Sequence, residues 1–498
     1  MITEHATPVT AEGISLARAH LVGVGGAGMS GIARILADRG FAVSGSDVRG
    51  SPVLTGLTAR GVLTAVGHDA ANLRLLPGGP TAVVVSSAVR PDNPEIVAAR
   101  AAGIPVVRRA DALAALMNGY RGVCVAGTHG KTSTTSMLTV ALQRAGLDPS
   151  FAIGGELAGS GLGAHHGAGD IFVAEADESD GSFVSFTPHG AVITNLEPDH
   201  LDHHGTAEAY TAVFDQFVDR IEPGGFLVVC ADDPGSAALA GRTRLRRVIS
   251  YGRSESATVR LVDDDSDRGP HSVGAHSAVL ADGRWIPIML PVPGEHMLLN
   301  AVAALAAGVE LGVDPTVLAE GLAAYTGVRR RFELKGVAAG VTVYDDYAHH
   351  PTEVAAQIAA ARGVLGALRD SSPTATGTGR LVVVFQPHLY SRTASFADAF
   401  GRALAGADLV VVLDVYGARE DPKPGVSGAL IASAVPLPGE PPPGGEPGGA
   451  RVLYHPDRGS AASFVAGVVG RGDVVITMGA GDITAVGPEL LTLLEAAL

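Results

Sequence analysis

The stretch GVCVAGTHGKTSTTSML, residues 122–138, runs from an apolar segment through a glycine-containing turn into a helical segment. Val123, Cys124, Val125 and Ala126 predict a strand buried on both faces, as parallel sheets require. The turn that follows, Gly127-Thr128-His129-Gly130-Lys131-Thr132, has the chemistry of a phosphate loop. Backbone amides there can cradle phosphates, Lys131 supplies a point charge, and the Thr132 hydroxyl is a hard ligand for Mg²⁺. The usual spacing would put the first glycine at position 125, which is Val125, so the loop is a variant that begins at Gly127.

Outward from this turn the same alternation recurs. Short β-branched runs occur at 20–26, 81–88, 191–195, 381–385, 409–415 and 473–479, with Ala- and Leu-rich helical stretches between them. That is the βαβ pattern of α/β proteins. At 498 residues the chain exceeds one core's worth of sequence, since a domain takes roughly 150 residues. The pattern restarts near residues 121 and 341, which predicts three domains, 1–120, 121–328 and 329–498. Residues 253–284 are charged and Gly-rich and predict a β-rich or irregular excursion, and 436–449 (PLPGEPPPGGEPGG) reads as a surface insertion.

Composition narrows the function. The formal charge of −15 repels polyphosphate backbones and anionic membranes, so nucleic acid is excluded as the main partner. The two cysteines, Cys124 and Cys230, lie beside Val-rich runs and read as buried thiols with no disulfide framework. No run of about 18 uncharged apolar residues occurs, and the opening MITEHATPVT lacks a signal-like pattern, so no membrane insertion and a cytoplasmic location are expected. A homodimer is neither required nor excluded.

Further candidate sites lie after other strands. Gly23-Val24-Gly25-Gly26-Ala27-Gly28 opens a helix, with Asp47 ending the next strand, a pattern that suits a diphosphate and equally NAD. Ser86, Ser87 and Asn93 follow another strand of the same segment. Glu175, Asp177, Glu178 and Asp180 follow IFVA, and Glu175, nearest the strand end, is placed to complete a Mg²⁺ site. His200, His203 and His204 with Asp202 raise zinc as an alternative. His296 and Asn300 share a helical face, and Arg331, in a run of three arginines, can clamp a phosphate. Asp345, Tyr347 and His349 follow one late strand and Arg392 follows another.

Taken together, HLVGVGGAGMSGIA, SSAVRPDNPE, GTHGKTSTT, EADESD, TNLEPDHLDHH, PGEHMLLNA, RRRFE, DDYAHHPTE, QPHLYSRT and DVYGAREDP resemble, in order, the motifs of the Mur ligase family over nearly the whole chain. The resemblance implies an N-terminal Rossmann-like domain for a UDP-sugar, a central P-loop-like ATPase domain and a C-terminal Rossmann-like domain. It implies ATP-dependent joining of L-alanine to the lactyl carboxylate of UDP-N-acetylmuramate in peptidoglycan synthesis, with ATP and Mg²⁺. Residues implied at ATP are Gly127, Thr128, His129, Gly130, Lys131, Thr132, Ser133, His296, Asn300, Arg331 and Asp345. Those implied at the UDP-sugar are Gly25, Gly26, Gly28, Asp47, Ser86, Ser87, Asn93, Tyr347, His349 and Arg392. Thr132, Glu175 and His200 are implied at metal, and Lys131, Arg331, His200 and His349 in catalysis. Leu389 and Met297 depart from the family, standing where many relatives carry a basic residue and an Asn.

Overall fold

The computed structural model describes residues 9–11, 13–264, 275–371, 379–418, 420–436 and 450–497. The expected insertion at 436–449 lies, apart from its first residue, outside them. Besides a two-stranded antiparallel ribbon of Thr10–Ala11 and Ile14–Ser15, three larger sheets occur among the described residues, each within one of the ranges predicted from the sequence.

The first sheet is wholly parallel and has five strands: β1 (Arg18–Val22), β2 (Ala42–Asp47), β3 (Leu63–Val66), β4 (Ala82–Val85) and β5 (Val106–Arg108). Its order is β3-β2-β1-β4-β5, so the order reverses between β1 and β4 and opens a crevice beyond their carboxyl ends. Helix α1 (Ala27–Asp38) follows β1 and buries Met29, Ile32, Ala33, Ile35 and Leu36, the spacing of one helical face. Met29, Ile32, Ile35 and Leu36 each contribute roughly 1.5–3 kcal/mol when fully buried.

The second sheet has ten strands: β6 (Arg121–Ala126), β7 (Ser150–Ala152), β8 (Ala164–His165), β9 (Ile171–Glu175), β10 (Gly190–Ile193), β11 (Phe226–Cys230), β12 (Val248–Gly252), β13 (Val259–Asp264), β14 (Ala275–Val279) and β15 (Trp285–Ile288). Its order is β8-β7-β9-β6-β10-β11-β12-β13-β14-β15. Strand β6 therefore lies between β9 and β10, parallel to both. The excursion at 253–284 is β-rich: β13, β14 and β15 form an antiparallel meander that extends the parallel sheet through β12.

The first two predicted domains form one compact unit, Met1–Pro291 with Leu298–Thr326. Their apolar residues make a continuous core that includes Leu21, Ile35 and Leu116 from the first part and Phe172, Phe183 and Phe214 from the second. Helix α1 lies so near β8 that a Cβ on Gly31 would meet the Ala164 methyl at 3.0 Å. Cys124 and Cys230 are free and buried, and burial pushes both thiols up.

The second unit comprises Val292–Met297 and Gly327–Leu498. Its six strands are β16 (Glu333–Ala338), β17 (Val341–Asp346), β18 (Leu381–Phe385), β19 (Leu409–Val412), β20 (Arg451–Tyr454) and β21 (Val474–Met478), in the order β16-β17-β21-β18-β19-β20. Only β16 is antiparallel to its neighbour. Apolar clusters cover both faces. His296, expected in the central domain, packs instead with this unit. The cause is a tertiary contact: Gly294 (φ 110°) lies so close to Ala360 that a Cβ on it would come within 3.2 Å of the Ala360 methyl. No helix among the described residues is long and apolar enough to cross a membrane.

A buried polar hub fixes the crevice in the first sheet. Helix α2 (Pro94–Ala101) begins with Asn93 as its cap, whose side chain accepts from the Glu95 amide, and a proline at its first position. Fully buried Glu95 accepts from the Ser46 hydroxyl at 2.6 Å, the Asn72 amide group at 2.5 Å and the Asp69 N–H at 3.3 Å, and lies 3.5 Å from both His20 and His68. Burial alone would raise its pKa, but His20, Ser46 and Asn72 overcome that and pull it down to about 2. A carboxyl depressed from 4.5 to about 2 adds stability, roughly 3 kcal/mol, that is present above pH 4.5 and lost as pH falls towards 2. Glu95→Gln should therefore destabilise the protein by about 3 kcal/mol at pH 7, a deficit that narrows at pH 3. Urea unfolding followed by circular dichroism at the two pH values measures it.

Candidate active site

The turn after β6 is shaped by what its backbone touches. Gly127 has φ 126°, and a Cβ there would lie 2.2 Å from the Thr194 hydroxyl and 2.9 Å from the Asn195 carbonyl. Only glycine fits that approach. Beyond it the Thr128 N–H donates to the Asn195 carbonyl and the His129 N–H to the Asn195 side chain at 2.8 Å, while the Thr194 hydroxyl donates to the His129 carbonyl. The Thr128 hydroxyl donates to the Glu197 carbonyl and lies 3.0 Å from the Tyr210 hydroxyl. Gly130 (φ 80°) then begins helix α3 (Lys131–Arg144), and a Cβ on it would fall 2.6 Å from Asn300 Oδ1. Asn300, a single helix residue in the sequence, is thereby at the loop.

Lys131 curls back over the turn, donating to the carbonyls of Gly127 at 2.6 Å and Thr128 at 3.1 Å and to Glu178 Oε1 at 2.9 Å. Burial disfavours its charge, but Glu178, Asp177 and Glu175 outweigh burial and keep it protonated. Glu178 is wholly buried. Burial pushes its carboxyl up to about 7, against the opposing pull of Lys131. The Thr132 hydroxyl donates to Glu175 Oε1 at 3.1 Å, and the Gly154 N–H donates to Glu175 Oε2 at 2.7 Å. A hydroxyl and a carboxylate side by side at a phosphate loop are the hard oxygen donors that Mg²⁺ takes. Ser133 is buried in the first turn of α3.

The histidines after β10 do not share a metal point. His200 sits at φ 52°, with Nε2 3.6 Å from Asp199 and 3.9 Å from Glu178. His204 Nε2 donates to the Glu178 carbonyl at 3.0 Å, and His203 is exposed. Among the described residues these three imidazoles do not converge as a ligand set.

At the first sheet, the Gly23 and Val24 amides donate to the Ser46 carbonyl, and the Gly25 amide donates to Asp47 Oδ2 at 2.9 Å. A Cβ on Gly25 would lie 2.8 Å from Asp47 Oδ2 and 2.9 Å from Leu54. Gly26 caps α1. Ser86 and Ser87 follow β4, the first half-buried and the second exposed, whereas Asn93 is occupied in capping α2. Arg109, which no motif in the sequence singles out, lies against Gly28 and pairs with Asp177 Oδ2 at 3.0 Å. Burial would raise the Asp177 carboxyl, but Arg109 and Lys131 hold it below the usual range.

Within the second unit, the guanidinium of Arg331 lies 5.2 Å from the Tyr347 ring centre and that of Arg330 4.8 Å. Arg330 donates to the carbonyls of Gly479 and Gly481, which gives it a structural task. His349 Nδ1 lies 3.0 Å from the Tyr347 carbonyl, and its ring meets Tyr347 edge-on. His296 is half-buried, and loss of solvent around its ring pushes its pKa down to about 4. Glu353 opposes that shift and Arg331 adds to it. Arg392 is buried in the first turn of the helix Tyr390–Leu404, behind Leu389 at φ 68°. Asp345 is fully buried, and its two oxygens accept from the Thr477 and Thr484 hydroxyls at 2.6 Å each.

Three family models match in succession: Mur ligase family, catalytic domain, over residues 18–121; Mur ligase middle domain over 125–308; and Mur ligase, glutamate ligase domain, over 330–481. The UDP-N-acetylmuramate–L-alanine ligase of Saccharopolyspora erythraea is 60% identical over 484 residues, 96% of this chain and 94% of its own length. That of Kineococcus radiotolerans is 58% identical, covering 98% of both chains. The crystal structure of the Thermotoga maritima UDP-N-acetylmuramate-alanine ligase superposes with a TM-score of 0.73 at 27% identity, covering 97% of this chain and all of that one.

The packing at residue 127 gives a direct test of the loop. Gly127→Ala forces Thr194 or Asn195 away, which should cost about 3 kcal/mol of stability and abolish adenine nucleotide binding. Thermal melts and calorimetric titration with ADP check both outcomes.

Proposed function

Because this chain belongs to the Mur ligase family, we propose that it is the ATP-dependent ligase that joins L-alanine to the lactyl carboxylate of UDP-N-acetylmuramate, in the cytoplasmic stage of peptidoglycan synthesis. The observation that carries this reading is the loop 127–132, with Lys131 charged at the mouth of α3 and Thr132 beside Glu175. The relatives' near full-length identity supplies the substrate pair.

The chemistry follows from charge. An ionised carboxylate attacks the γ-phosphorus of ATP, so two anions must approach each other. The bond from the carboxylate oxygen to phosphorus forms as the bond from phosphorus to the ADP oxygen breaks, giving an acyl phosphate and ADP. The uncharged amine of L-alanine then adds to the acyl carbon, loses a proton and expels inorganic phosphate, leaving the amide. Lys131 offsets the repulsion by exchanging Glu178 for a phosphate oxygen, and the amides at the start of α3 point their partial positive charge the same way. Mg²⁺, when bound, supplies further charge neutralisation at the phosphates, and Thr132, Glu175 and His200 are the residues that would hold it. Gly25, Gly26 and Gly28 let a diphosphate approach the backbone ahead of α1, with Asp47, Ser86 and Ser87 at the crevice rim. From the second unit, Arg331 is assigned to the transferred phosphate, His296 to the nucleotide, and Tyr347, His349 and Arg392 to the substrate side.

Phosphate release tests the reading. It should require UDP-N-acetylmuramate, ATP, Mg²⁺ and L-alanine together, and a tripeptide in place of L-alanine should not support it. Turnover with the tripeptide alone would instead make this a ligase of preformed peptides. Tight NAD binding in place of the sugar nucleotide would remove the substrate on which the chemistry depends.

Lys131→Ala should lower turnover by roughly 10²-fold or more while leaving UDP-N-acetylmuramate affinity within about twofold, since the hydrogen bonds of the lysine go to the phosphate-loop carbonyls and Glu178. Single-turnover phosphate release and calorimetry with the sugar nucleotide measure the two quantities separately.

A further inference from the structure

The glycine crevice and the phosphate loop are joined by one ion pair. Arg109 opens the helix Arg109–Met117, directly after β5, and its side chain crosses the first turn of α1. A Cβ on Gly28 would fall 2.8 Å from Arg109 Nη1 and 3.2 Å from its Cδ, so glycine at 28 is what lets the guanidinium lie there. Nη2 is bonded at 3.0 Å to Asp177, which stands one residue from Glu178, the partner of Lys131. Charges therefore alternate from the crevice to the loop: Arg109, Asp177, Lys131, Glu178.

A surface pair of this kind contributes little to stability, about 0–1 kcal/mol. Arg109 is only about one quarter exposed, and Asp177 fixes one edge of its guanidinium. The other edge, Nη1, lies over Gly28 in the first turn of α1, beside the glycine turn that a diphosphate approaches in the reading above. We propose that Arg109 binds the diphosphate of the sugar nucleotide and that Asp177, a residue of the ATP-binding fold, is the positioning residue that aims it. A bidentate donor held in place loses little freedom on meeting a phosphate, which is why arginine suits this position. The inference rests on the sugar-nucleotide reading of the crevice.

Calorimetry on the full chain tests it. Arg109→Met keeps most of the stem and should weaken UDP-N-acetylmuramate at least tenfold, with ATP affinity within twofold. UDP alone should lose affinity by the same factor, because the contact is with the diphosphate. Arg109→Lys should recover part of the loss. Asp177→Asn should weaken the sugar nucleotide several-fold although it lies in the other fold, and the double variant should bind no worse than Arg109→Met. A merely structural bridge would lower the melting temperature of these variants and leave sugar-nucleotide affinity unchanged, which overturns the proposal. So would fully additive losses in the double variant, or a loss confined to the full sugar nucleotide and absent with UDP. The unmodified protein is titrated first: failure to bind UDP-N-acetylmuramate there defeats the functional reading itself, whereas normal binding both there and in Arg109→Met defeats only the role of Arg109.

Discussion

The N-terminal unit depends on a backbone-to-backbone approach at Gly127. There the chain leaves β6 and turns so tightly against Thr194 and Asn195 that no side chain fits. The approach fixes the amides of 128 and 129 through Asn195, sets the start of α3, and brings Lys131 and Thr132 to the ends of the parallel strands. Because β9 and β10 flank β6, their carboxyl ends deliver Glu175 on one side and Asn195 on the other. The sheet order thus places the acids, and the glycine makes room for the loop they serve.

The electrostatics of the loop are internal before any ligand arrives. Lys131 is held by two carbonyls and a buried carboxylate, so its charge is stabilised in place, and a phosphate only has to displace Glu178. Preorganisation of this kind lowers the reorganisation needed when charge develops on the transferred group. Glu178, left by its lysine, would be a buried carboxyl that burial already favours in the neutral form. The cost of losing the pair is therefore reduced by protonation.

Much of the candidate site was legible because its signals are local. The phosphate loop and Glu175 at a strand end lie in runs where residue type and spacing point to phosphate and metal chemistry, whereas the glycine crevice by itself suits a diphosphate and NAD equally. Asn93 was legible as a polar residue after a strand, but its observed task is to cap α2. Arg109 and Glu178 were not singled out, since nothing in their flanks distinguishes an arginine at a helix start or one acid among four. Their meaning comes from partners 68 and 47 residues away.

The sequence by itself determined the α/β class, the alternation of strand and helix and the phosphate loop, because periodicity and turn chemistry act over a few residues. It also carried the family motifs in order. Tertiary structure alone decided that the first two sheets share a core and form one compact unit, that Val292–Met297 joins the C-terminal unit, and that the loop histidines fail to converge. It alone decided which acid neutralises which base. Pairings between distant segments are set by how sheets and helices pack, and one sequence pattern is compatible with many such pairings until the packing selects one.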